Sequence, residues 1–283
     1  MTSDAYHILI TAIELAAMNA DRDAVLLIDA RFRLEDTGYG RRAYAEAHIP
    51  GALYLHLDED LSSEVVPGVT GRHPLPDPAL LEARLREIGL RTHMPVVVYD
   101  DGPGFFASRV WWLLNWLGHA EVRVLDGGIA AWKQAGLPLT SAPAVKTWPG
   151  DFVADLQVDM VVSTAELEQS LESGGNCLID ARAPERFFGN SEPIDPVAGH
   201  IPGAVCVPCS ANIASDGFFL APDLLAKRFP VTELPRVCYC GSGVTACHNI
   251  LAAVVAGLPM PRLYAGSWSE WITNPARPVA TND

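Results

Sequence analysis

The stretch "LLIDARF", Leu26 to Phe32, returns as "CLIDARA", Cys177 to Ala183, and this return decides the fold. A second landmark follows each copy at nearly the same distance: "AHIPGALYL" at Ala47–Leu55 and "GHIPGAVCV" at Gly199–Val207. Further outward, "VLDGGIAAW" ending at Trp132 answers "LYAGSWSEW" ending at Trp271, and Thr11-Ala-Ile-Glu14 answers Ser163-Thr-Ala-Glu166. The last pair are capping boxes, in which a hydroxyl and a carboxylate three residues later each accept a backbone N–H at a helix start. The period is about half of the 283 residues, far beyond the ~20–50 residues of a solenoid unit, so the chain is a tandem domain duplication. Thr140–Gln157, with scattered Pro and Gly and weak periodicity, reads as the join. The domains then run over residues 1–143 and 158–283, with a linker over 144–157.

Within each half, short apolar runs such as "AVLLID", "PVVVYD" and "VRVLDG" alternate with longer segments such as "DPALLEARLREIGL" and "ASRVWWLLNWLG". Strands apolar on both faces need cover on both, so the expected class is α/β, each domain a mainly parallel sheet between helices. Ligands of such sheets gather beyond the carboxyl ends of the strands.

Composition narrows the function. With 49% apolar and 19% charged residues the chain reads as a soluble globular protein, and no run approaches the ~18 apolar residues of a membrane helix. "MTSDAYHILI" has no basic flank, apolar run and cleavage site, which points to the cytoplasm. A net charge of −14 argues against nucleic acid or an anionic membrane as partner. Lys133, Lys146 and Lys227 are the only lysines, so an anionic substrate must be gripped by a few well-placed arginines. All six cysteines, Cys177, Cys206, Cys209, Cys238, Cys240 and Cys247, lie in the second half, and without a secretory signal they read as reduced thiols.

One cysteine stands apart. "VCYCGSGVTACHNILAAVV", Val237 to Val255, reads as a strand ending at Cys240, a turn through Gly241-Ser242-Gly243, and a helix starting near Val244. Such a turn lets the loop amides and those of the first helical turn, Val244 and Thr245 included, converge on Sγ. Converging amides and the helix N-terminus favour a thiolate and would stabilise a negatively charged adduct on it. The matching stretch of the first half, "VVVYDDGPGFFASRVWWLL", carries Asp100 where the cysteine would fall. Cys177, Cys206, Cys238 and Cys247 read as structural.

The repeated "DAR…HIPGA" signature, the tandem layout and the "CGSGVT" loop resemble the two-domain sulfurtransferases of the rhodanese family over nearly the whole chain. The loop is most similar to that of the 3-mercaptopyruvate sulfurtransferases rather than to the more basic "CRKGVT" loop of thiosulfate-specific members. The resemblance implies tandem rhodanese-like domains, the first inactive through Asp100. It also implies ping-pong transfer of sulfane sulfur through a Cys240 persulfide to a thiol, a thioredoxin or cyanide. It calls for no cofactor and no metal. By the same resemblance Arg186 in "DARAPERFFGN" takes the place of the substrate arginine, a natural bidentate clamp for a carboxylate. A second arginine usually follows about nine residues on, where this chain has Asp195; that departure leaves thiosulfate open as donor, unless a neighbour such as Arg182 substitutes. Ser242, His73 in "GRHPLP" and Asp58 in "LHLDED" fall where the family keeps a proton relay, with Asp58 setting the tautomer of His73. His48 and His200 occur in both copies of "HIPGA", including the one without a nucleophile, and read as turn histidines.

Other readings fare worse. A phosphatase of this fold needs an arginine six positions after the cysteine, where Ala246 stands. Zinc on Cys206, Cys209, Cys238 and Cys240 would draw on a strand whose alternate residues face opposite ways. Ser242 lies in neither a G-x-S-x-G elbow nor a Walker loop. A non-catalytic rhodanese module would be expected to lose the nucleophile this chain keeps.

Overall fold

The computed structural model describes residues 8–20, 24–144 and 149–281. Residues 1–7 of the N-terminal stretch and residues 145–148 of the linker, with Lys146, lie outside the described residues. The first half runs β1 (Leu9–Ile10), α1 (Ala12–Met18), β2 (Leu26–Asp29), α2 (Tyr39–Glu46), β3 (Leu53–Tyr54), α3 (Pro78–Glu87), β4 (Val96–Tyr99), α4 (Ala107–Trp116), β5 (Val122–Leu125) and α5 (Gly128–Gln134). The second runs α6 (Thr164–Ser173), β6 (Cys177–Asp180), α7 (Pro184–Phe187), β7 (Val205–Cys206), α8 (Pro222–Ala226), β8 (Arg236–Tyr239), α9 (Thr245–Val255), β9 (Arg262–Leu263) and α10 (Ser267–Trp271).

The strands form two wholly parallel sheets, ordered β1-β5-β4-β2-β3 and β7-β6-β8-β9. The duplication is visible strand for strand, and even the place of β1 is kept, by a parallel bridge between Val161 and Leu263. Every residue of β2 and β4 is buried, as strands covered by helices on both faces must be. Both capping boxes form as the spacing predicts, with Thr11 and Ser163 as N-caps.

The structure also explains why "DAR" and "HIPGA" travel together. Arg31 grips the Asp29 carboxylate and donates from Nη2 to Ala47 O at 2.8 Å, tying the end of β2 to the turn before β3. Arg182 does the same in the second copy, gripping Asp180 and donating to Gly199 O at 2.6 Å. His48 stacks on Tyr44 and pairs in an antiparallel bridge with Thr140; His200 stacks on Phe187 and pairs with Ala280. Both imidazoles serve the turn.

Among the described residues, those up to Leu61 and those from Asp77 to Leu156 form one compact unit; Ser62–Pro76 and those from Gln157 onward form the other. The division differs from the repeat boundary, because Ser62–Pro76 belongs to the first half by sequence and to the second unit by packing. The described part of the join is hydrogen bonded along the first unit: Gly150 N–H to Arg86 O at 2.7 Å, Phe152 N–H to Leu90 O at 3.2 Å and Asp155 N–H to Leu117 O at 2.9 Å.

Candidate active site

The site grows from the carboxyl end of β8. This strand is buried because it lies inside the sheet between β6 and β9, so the chain must turn sharply to leave it. The turn is Cys240-Gly241-Ser242-Gly243, and the helix α9 follows. Gly243 sits at φ +78°, with a would-be Cβ 2.3 Å from Ala265 O, so only glycine fits there. Its N–H donates to Cys240 Sγ at 3.2 Å. Helix α9 has Val244 as its N-cap and Thr245 as its first residue, and the first amides of a helix have no acceptor one turn back. α10 holds the loop from behind: Trp268 N–H donates to Cys240 O at 3.0 Å, Ser269 N–H to Gly241 O at 2.9 Å, and Cys240 N–H to Ser267 Oγ at 3.1 Å. Cys240 itself is 2% exposed.

The segment Ser62–Pro76 completes this wall of the second unit. His73 Nδ1 lies 2.7 Å from Ser242 Oγ, one donating and the other accepting according to the tautomer. Arg72 is fixed by its own N–H, which donates to Ser269 Oγ at 3.1 Å. The Arg72 guanidinium pairs with Asp195, whose other oxygen accepts from Arg186 Nη2 at 2.9 Å. Both guanidinium groups lie against the loop: a Cβ on Gly241 would come within 2.7 Å of Arg72 Nη2 and 3.4 Å of Arg186 Nη2. Arg186 Nε is held by both oxygens of Glu192 at 2.9 Å. Arg182 does not reach this group as a spare cation: its side chain is buried on Asp180, Gly199 O and Glu192, over the Trp268 ring.

Thus Cys240, Gly241, Ser242, Gly243, Val244, Thr245, Arg186 and His73 come together in one unit, while Asp58 is counted with the first, its N–H donating to His56 Nδ1 at 3.1 Å. Sequence reasoning missed Arg72. The available signal was its place next to His73 in a chain poor in cations.

Burial disfavours the thiolate at several of the other cysteines. Burial pushes Cys209 up to about 12, with the neighbouring Cys240 sulfur adding to the effect. Burial, reinforced by Asp180, pushes Cys206 up to about 11, and burial raises Cys177 and Cys238 as well. Burial also raises Asp195, against the pull of Arg72 and Arg186. Glu192 falls below the ordinary carboxylate range: burial works to raise it, but the Arg186 hydrogen bond and the amides of Asp195 and Ile194 prevail. Among the described residues no three His, Cys, Asp or Glu side chains are arranged to hold a metal ion.

In the first unit the same turn carries Asp100. Its carboxylate accepts four backbone N–H groups, from Gly102, Gly104, Phe106 and Ala107, at 2.9 to 3.2 Å. Burial raises the Asp100 carboxyl while those four amides work to lower it, so a side-chain acceptor fills the cradle in the copy that lacks the cysteine.

The rhodanese-like domain family matches residues 11–135 and again 163–274. A Pseudomonas aeruginosa protein named "Probable 3-mercaptopyruvate sulfurtransferase" is 56% identical, the match covering 97% of this chain and 98% of that protein. SseB of Mycobacterium tuberculosis, which carries the name of a thiosulfate sulfurtransferase, is 42% identical over 96% of each chain. The crystal structure of the 3-mercaptopyruvate sulfurtransferase SseA from Escherichia coli superposes with a TM-score of 0.81 at 32% identity, covering 93% of this chain and all of that one. The family matches once in each half and these relatives match over nearly the whole chain, so the chain belongs to the rhodanese family as a two-domain sulfurtransferase.

Proposed function

We propose that this sulfurtransferase takes its sulfur from 3-mercaptopyruvate, through a persulfide on Cys240. The Cys240 thiolate attacks the donor's sulfur, forming the S–S bond while the donor's C–S bond breaks. Its electron pair remains on carbon as the enolate of pyruvate, which takes up a proton. The persulfide then gives its outer sulfur to an acceptor thiolate, a reduced thioredoxin or cyanide, and the Cys240 thiolate returns. The observation that carries this reading is the Gly243 N–H on Cys240 Sγ, at the start of α9. An amide donating to the sulfur stabilises the thiolate before attack and the persulfide anion after it.

The Ser242–His73 pair supplies the proton to the leaving enolate. Asp58 enters this relay by family resemblance alone. Arg186 binds the donor, and Asp100 marks the unit that does no chemistry. The six cysteines are unpaired, which supports a reducing compartment such as the cytoplasm.

A second reading, thiosulfate as donor, is favoured by one feature: an acid, Asp195, where mercaptopyruvate enzymes usually offer a second arginine. The test is steady-state sulfur transfer by wild type and Cys240→Ser with each donor. Loss in the variant and a higher kcat/KM on mercaptopyruvate support the proposal, whereas preference for thiosulfate establishes the second reading. A folded wild type inert with both donors would turn attention to a non-catalytic binding role.

A further inference from the structure

We infer that Arg72 and Arg186 together form the clamp for the donor's carboxylate, and that Asp195 is its built-in counter-ion, displaced when the donor binds. This rests on the proposed reading of Cys240 as the site of sulfur transfer. One Asp195 oxygen is bound by Arg72 and the other by Arg186, so a carboxylate already bridges the two guanidinium groups. A donor carboxylate reaching this spot would meet the same two partners. Both cations lie over Gly241, one residue from the nucleophile, within the span of a three-carbon donor whose sulfur is at Cys240. Arg72 Nε is buried and, among the described residues, donates to nothing, leaving one fork position unfilled. A buried donor without an acceptor is costly, and an incoming anion removes that cost.

Asp195 is the member that can yield. Burial raises its carboxyl despite two adjacent cations, whereas Glu192, held below the ordinary carboxylate range by the Arg186 hydrogen bond and two amides, grips Arg186 from the other side. The acid at position 195 therefore does not deprive the site of a cation. The second cation comes from Arg72, in a segment of the chain's first half that folds into the second unit.

The test is steady-state kinetics of the full chain with 3-mercaptopyruvate and thiosulfate, for wild type, Arg72→Ala, Arg72→Lys and Asp195→Asn. Arg72→Ala is expected to raise KM for mercaptopyruvate by about ten- to a hundredfold, as for lost hydrogen bonds to a charged group, with kcat falling much less. Arg72→Lys restores the charge without the fork and recovers part of that loss. Asp195→Asn is expected to lower KM by a few fold, since it removes the rival carboxylate. Both changes break the same ion pair, so a purely structural role would move KM in the same direction in both variants; that result overturns the inference. An unchanged KM in Arg72→Ala overturns it too, and Arg72→Lys decides the point if the alanine variant does not fold. A wild type that transfers no sulfur would instead count against the proposed function, an outcome distinct from either.

Discussion

At the scale of single residues, burial disfavours the thiolate at cysteines other than the proposed nucleophile. Burial, with the Cys240 sulfur adding to it, pushes the Cys209 thiol up to about 12, and burial pushes that of Cys206 up to about 11. Both are thiols rather than thiolates at neutral pH, and the thiolate is the attacking species. Wild type treated with mercaptopyruvate should therefore carry a single extra sulfur, located on Cys240 by peptide mass spectrometry. Cys240→Ser should carry none, and Cys209→Ser should load like wild type; sulfur appearing on Cys209 near pH 7 would refute this. The relay makes a separate claim. Departure of pyruvate's enolate needs a proton on carbon, whereas sulfite leaves thiosulfate without one. His73→Ala should then cut kcat on mercaptopyruvate by about a hundredfold, the scale of general acid catalysis, and cost far less on thiosulfate. Equal losses on both donors would remove His73 from proton transfer. Cys240 stood out in the sequence because strand end, glycine turn and helix start form one local pattern, whereas Ser242, Arg186 and His73 were picked out by resemblance to the family. Asp195 was visible as a departure, but its partners were not. Arg72 has no motif of its own, and its role depends on a distant segment folding beside the loop.

Elements show the same division. The capping boxes were legible because an N-cap is a local contract between side chains three residues apart. Ser163 Oγ accepts from Glu166 N–H at 3.2 Å, and Glu166 Oε2 accepts from Ser163 N–H at 2.8 Å. Ser163→Ala should cost about 1 kcal/mol in urea unfolding, the usual loss for an N-cap hydroxyl. The Ser163 backbone N–H, then its hydroxyl, hold the Glu166 carboxyl below its ordinary range. A carboxylate depressed in the folded state stabilises fully above its unfolded value and loses that contribution as pH falls through the folded one. The advantage of wild type over Glu166→Gln should therefore be full at neutral pH and close as the solution is acidified below about 4. An advantage that persists under acid would mean the carboxylate charge plays no part in the cap. The turn after β8 is stricter still. Gly243→Ala would place a methyl against Ala265 O at a positive φ, and should abolish most activity while leaving α6 unaffected. By contrast β3, β7 and β9 have two residues each, too few for any alternation to declare them; they exist because a longer parallel neighbour offers a ladder.

For the whole molecule, the duplication was legible and the division by packing was not. "SSEVVPGVTGRHPLP", Ser62 to Pro76, has no periodicity to say which core it will join, so repeat arithmetic left it with the first half. Its packing with the second unit brings a cation to a chain of net charge −14, and that charge bears on how an anionic donor arrives. Near Cys240 the local charges balance: Arg72, Arg182 and Arg186 face Asp180, Glu192 and Asp195. A balanced cluster attracts little at a distance, so beyond a few ångströms the donor meets the unbalanced negative field of the rest. That field reaches far at low ionic strength and is confined to about 10 Å at 0.1 M salt. Raising sodium chloride from about 0.01 to about 0.15 M should therefore increase kcat/KM for mercaptopyruvate by a few fold, through faster encounter. Transfer from the loaded persulfide to an uncharged thiol should hardly change over the same range. Asp195→Asn, which leaves the cluster with a net positive charge, should flatten or reverse the salt response. If kcat/KM of wild type instead falls steadily with salt, the arginines over Gly241 already dominate the approach, and Asp195 does not neutralise them as its two ion pairs imply.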